Sequence, residues 1–175
     1  RDLLEPLAPL ELIDWLTLEQ VAASVRKLGE ITGRQAQADD LSKRLVARLD
    51  VPIPDGPRAL VVLSMPSGGA VWFMRRNSMH GSALHAAGFV NAVNEDVVGP
   101  PNISLERLIT LDPNVIVFLL PEAAQPEDVD SALEPLRGLP LSATRNERVH
   151  VLFGDYLGTG PRILDLVDAL AQLPH

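Results

Sequence analysis

Hydrophobic residues recur at helical spacing early in the chain, at Leu18, Val21, Val25, Leu28, Leu41, Leu45 and Leu49, so a single apolar stripe faces a core. Thr17 followed three residues later by Gln20 is a capping box. The spacing predicts a long helix from Leu18 to Leu49, which as one continuous rod would measure ~48 Å at the α-helical rise per residue. Gly29 and Gly33 each cost about 1 kcal/mol relative to alanine, so a bend is expected near the middle. Before this helix, Leu10 to Asp14 alternates and reads as one short strand. After it, Pro52, Pro54 and Pro57 make a stiff connector that forbids helix, and a boundary is expected there.

The pattern then changes to alternating strand and helix. Ala59 to Leu63 is an unbroken apolar run, followed by the loop Ser64 to Ala70, a short strand Val71 to Met74, and a helix Ser78 to Ala87 stopped by Gly88. Ser104 is an N-cap, Glu106 sits in a first turn where the helix dipole favours a carboxylate, and Leu105, Leu108 and Ile109 form the apolar stripe. Pro113 ends that helix. Val115 to Leu120 is apolar without alternation, as expected of a strand covered on both faces. Pro126 starts a helix with Val129, Leu133 and Leu136 on one face. Arg148 to Phe153 is a further strand, Gly154 to Gly160 its carboxyl-end loop, and Pro161 takes the first position of the terminal helix. The fold class is α/β: a three-layer sandwich lobe with a mostly parallel sheet, preceded by a long helix.

At 175 residues with 46% hydrophobic content, the chain suffices for one domain with a packed core. A net charge of −8 and scattered basic residues argue against nucleic acid as a partner. The absence of cysteine excludes a disulfide scaffold, a thiolate metal site and a cysteine nucleophile. No signal peptide or membrane-spanning apolar run is present in the sequence.

Candidate chemistry gathers at the carboxyl ends of the strands, where open α/β sheets bind ligands. Ser64 and Met65 open the first such loop. Trp72, with Met65, Met74 and Met79 nearby, suits an apolar or aromatic ligand, although a core role fits the spacing equally. Arg75 and Arg76 suit an anionic group through fork-like guanidinium geometry, or are ordinary surface charges. Tyr156, the single tyrosine, is either an iron-ligating phenolate or a packed ring. Arg162 follows Pro161 at a helix amino terminus, where the macrodipole opposes a cation. It either pairs with Asp165, or it faces a cleft or holds the loop Asp155 to Gly160.

His80 and His85 are five residues apart and share no helix face, so no dedicated metal site is expected. No nucleophile elbow, phosphate-binding lysine loop or dinucleotide fingerprint occurs, and no catalytic residue is assigned. The alternative is a small α/β enzyme or regulatory domain that binds a phosphorylated ligand at the loops Ser64 to Gly69 and Gly154 to Gly160, with Asp155 as base.

Four segments occur in one order: Val25 to Gly33 (VRKLGEITG), Gly81 to Asn91 (GSALHAAGFVN), Ser104 to Val117 (SLERL, then DPNVIV) and Gly160 to Ile163 (GPRI). Together they resemble the helical-backbone class of periplasmic binding proteins, the substrate-binding components of ABC importers for iron siderophores, haem and cobalamin. The resemblance implies two α/β lobes joined by one rigid helix, with ligand in the cleft between them. Residues 1–16 would then be the remnant of an amino-terminal lobe, residues 17–50 the interlobe backbone helix and residues 51–175 the carboxyl-terminal lobe. It implies a permease partner reached through Glu106, a periplasmic or extracellular location, no resident cofactor, and a ferric siderophore, haem or cobalamin as cargo. The chain is expected to be a fragment, a natural half that dimerises, or a piece cut at a lobe boundary. A helix built for two lobes exposes apolar surface beside one, so self-association is expected.

Overall fold

A computed structural model describes residues 13–52, 54–66, 69–158 and 160–174. Of the strand expected over Leu10 to Asp14, the first three residues lie outside the described ones, and Ile13 and Asp14 belong to no strand.

The first helix, α1 (Leu18–Thr32), starts at the expected capping box, with Thr17 Oγ1 accepting from Gln20 N and Gln20 Oε1 accepting from Thr17 N. Gly33 ends it in the left-handed region at φ 68°. Its amide donates to Glu30 O, and Arg34 N donates to Gly29 O at 2.7 Å, the paired closure of a Schellman motif. The chain then reverses into α2 (Gln35–Leu49), which runs back along α1. Arg26 meets Asp39, and Ser42 Oγ donates to Ala22 O at 3.3 Å, so partner numbers fall on one helix as they rise on the other. The long helix expected over residues 17–50, with a bend near its middle, is therefore two helices in an antiparallel hairpin. Gly33 permits the reversal, because glycine enters the left-handed region without the steric cost that a Cβ imposes.

Six strands form one sheet. They are β1 (Arg58–Ser64), β2 (Ala70–Phe73), β3 (Val90–Asn91), β4 (Asn102–Ser104), β5 (Val115–Leu120) and β6 (Val149–Phe153). The order is β4-β2-β1-β5-β6, with β3 pairing the start of β1. Strands β3, β1, β5 and β6 are parallel, whereas β2 and β4 are antiparallel additions at one edge. The remaining helices are α3 (Met79–Ala86), α4 (Leu105–Leu111), α5 (Pro126–Leu133) with a 3₁₀ turn at Glu134–Leu136, α6 (Ser142–Arg145) and α7 (Ile163–Ala171).

The apolar runs of β1 and β5 conceal the twofold alternation of a strand. Ala59, Val61, Val115, Val117 and Leu119 face one core, shared with α1, α2, α3 and α7. Leu60, Val62, Ile116 and Phe118 face the other, shared with α4, Leu136 and Ala143. The result is helix, sheet and helix in three layers. Each fully buried large side chain contributes about 1.5–3 kcal/mol relative to exposure, so both layers hold the sheet.

Two expected helix boundaries shift. Helix α4 ends at Asp112, itself left-handed at φ 40°, one residue before Pro113. Helix α7 begins at Ile163 with Arg162 at the N-cap, and Pro161 belongs to the preceding turn, in which Gly160 O accepts from Ile163 N.

Candidate functional site

From β1 the chain crosses through α3 to β3 on one side, and from β5 it crosses through α5 and α6 to β6 on the other. The two crossovers lie on opposite faces of the sheet, because α3 packs in one core and α6 in the other. The carboxyl ends of β1 and β5 therefore flank the switch point, where diverging connections leave a crevice. A groove of about 560 Å³ opens there. Leu63, Met65, Pro66, Leu120, Pro121 and Ala132 give it an apolar lining, and Ser64, Asp128 and Ser131 supply the polar groups. Met65 and Pro66 also border an adjoining space of about 320 Å³ walled by Leu105 and Pro135.

Ser64 and Met65 thus lie in the groove. Trp72 does not line it. It is half-buried on β2, paired with Asn102 of β4, while its neighbours Val71 and Phe73 enter the core. Arg75 and Arg76 turn to the loop over residues 94–101. Arg75 donates to Gly99 O, and Arg76 Nε lies 3.1 Å from Asp96 Oδ1. Arg107 of α4 grips the same loop through Glu95 at 2.9 Å.

Tyr156 lies in the loop after β6, and its ring packs against the core shared by α1, α3 and α7. The ring covers Gly154, where an added Cβ would stand 2.6 Å from Tyr156 Cε2. Its carbonyl oxygen is 2.7 Å from Nε2 of His80, which is 2% exposed on α3. A carbonyl only accepts, so Nε2 carries the proton. Burial lowers the His80 pKa, and the bond to Tyr156 opposes that shift.

Arg162 is exposed and makes both contacts its sequence position suggests, at 3.5 Å to Asp155 and 3.5 Å to Asp165. It thereby ties the rim loop to the start of α7. Glu106 is fully exposed at the first turn of α4. Hydrogen bonds from Ser104 and its own backbone hold its carboxyl below the usual range.

The phosphate-binding alternative lacks its helix ends. The loop after β1 runs into β2, a strand, and the loop after β6 meets α7 with Arg162 at the N-cap. The first amides of α7 already donate to Gly160 O, Pro161 O and Arg162 O. Among the described residues, no group of three His, Asp or Glu side chains converges as metal ligands. Asp112 was missed from the sequence. Its carboxylate accepts from Ser142 N at 2.5 Å and Ser142 Oγ at 2.7 Å, joining the end of α4 to the start of α6. The Asp-Pro-Asn sequence marks the turn, but nothing in it names the distant serine.

No curated protein sequence matches the chain. Solved structures do. A periplasmic heme binding protein from Pseudomonas aeruginosa is 25% identical with a TM-score of 0.76, over 97% of this chain and 64% of that one. An ABC-type Fe3+-hydroxamate transport system protein from Saccharomonospora viridis is 26% identical with a TM-score of 0.65, over 88% of this chain and 55% of that one. An ABC transporter substrate-binding protein from Listeria monocytogenes is 20% identical with a TM-score of 0.71, over 91% and 66% respectively. The chain thus spans less than two thirds of the length of each of these three. The sequence profile of the periplasmic binding protein family matches residues 10–156. With that match covering most of its length, the chain belongs to the periplasmic binding protein family.

Proposed function

We propose that the protein is the substrate-binding component of an ABC importer and carries an iron complex, siderophore or haem, or cobalamin to a membrane permease. The observation that carries this reading is the apolar groove at the carboxyl ends of β1 and β5, in a chain of this family. Relatives at 25% and 26% identity are described as heme binding and Fe3+-hydroxamate transport proteins, which supports a metal complex as cargo. In this reading the described residues form one wall of the site, a second lobe supplies the other, and the protein acts outside the cytoplasm. No covalent step is performed: the ligand is bound and handed over.

Glu106 is the contact to the permease. It is fully exposed, held ionised by its cap, and set on a helix that the second core anchors through Leu108 and Leu111. A rigidly presented carboxylate suits an arginine pocket. In the full-length protein, Glu106→Arg is expected to leave ligand affinity unchanged and to stop uptake. Lost affinity with intact folding would overturn the docking role.

A further inference from the structure

Resting on the transport reading, a second conclusion concerns the charge of the cargo. The groove has one charged lining residue among the described ones, and it is an acid, Asp128. Asp128 Oδ2 accepts from Gln125 N at 2.7 Å, one half of the capping box that starts α5. The three loops at this edge and helix α5 carry Glu122, Glu127, Asp128, Asp130 and Asp155 with one cation among them, Arg162, and Asp130 pairs with Arg137 just beyond α5. Arg162 is already shared between Asp155 and Asp165. Arg75 and Arg76, the other cations suited to an anion, turn to the loop over residues 94–101 and do not line the groove.

We infer that this wall selects a neutral or cationic metal chelate with an apolar face and disfavours an anionic one. An anionic ligand seated here would lose hydration beside Asp128 without gaining a countercharge. A neutral or cationic complex meets no such opposition, and the apolar lining takes its hydrocarbon face. Within the proposed cargo, cobalamin and ferric hydroxamates therefore rank ahead of haem, whose propionates are anionic.

The test titrates the full-length protein with five probes: a cationic ferric trihydroxamate, a neutral ferric trihydroxamate, cobalamin, haem and a trianionic ferric tricatecholate. Tightest binding among the first three is expected, with the tricatecholate weaker by about tenfold or more at low salt. Ser131→Arg, which adds a cation to the groove, should narrow that gap. So should Asp155→Asn with Asp165→Asn, which frees Arg162 and covers the case in which Ser131→Arg fails to fold. Tightest binding of haem or the tricatecholate overturns the charge selection and leaves the transport reading standing. Binding of none of the five overturns both.

Discussion

His80 Nε2 and the carbonyl oxygen of Tyr156 stand 2.7 Å apart, joining helix α3 to the rim loop that follows β6. Replacing His80 with leucine leaves that carbonyl without its buried donor, at a cost of about 1–3 kcal/mol. His80→Gln keeps a donor and should recover part of the loss. Urea unfolding of both variants measures the difference, and equal stability would mean that the bond contributes nothing.

The same histidine makes stability depend on pH. Burial lowers the pKa of His80, burial and then Arg76 lower that of His85, and burial and then Arg148 lower that of His150, all from 6.5. The unfolded chain therefore binds more protons than the folded one below that value. The contribution is complete above pH 6.5 and declines as pH falls through it toward the lowered folded values. The melting temperature is expected to drop between pH 7.5 and 5.5, and His80→Gln should flatten that slope. A flat wild-type profile would contradict the assignment.

Gly154 and Tyr156 form a second pair. A Cβ at Gly154 would stand 2.6 Å from the tyrosine ring, so Gly154→Ala must displace the ring and should cost about 1–3 kcal/mol. In a Tyr156→Ala background the same change should cost much less, as a double-mutant cycle would read.

The hairpin has an equivalent contact. Helix propensity alone favours Gly29→Ala by about 1 kcal/mol. The added Cβ would lie 2.3 Å from Ala38 Cβ, so the two helices must separate, and a net loss of about 1–2 kcal/mol is expected. Ala38→Gly in the same chain should restore the lost stability. A stabilising Gly29→Ala would show that the helices are not so closely packed.

These pairs also mark where the sequence was legible. The caps at Thr17 and Ser104 were readable because a cap joins residues three apart. The strands beginning at Arg58 and Val115 were readable because few other elements hold an apolar run of that length. Gly33 was harder. A glycine inside a helical pattern signals equally a kink or a full reversal, and only packing against Ala22 and Ala38 selects the reversal. The fates of Arg75 and Arg76 were hidden for a related reason: their partners lie some 20 residues on, in a loop with no periodicity. Arg162 was legible because both of its acids are close in sequence. His80 was not, since its partner is a backbone carbonyl 76 residues away.

The reversal at Gly33 also sets an order of events. Contacts between α1 and α2 close a short hairpin, as Ser42 and Ala22 do across 20 positions, whereas the start of β1 meets the start of β5 across 56 positions. Nearby segments close on a microsecond scale, while parallel strands wait for long loops to close. The hairpin should therefore assemble first and present Val21, Val25 and Leu45 as a template on which the slower sheet condenses. Pulsed hydrogen exchange during refolding should find the amides of α1 and α2 protected before those of β5, so that the chain forms the grooved edge at the ends of β1 and β5 last.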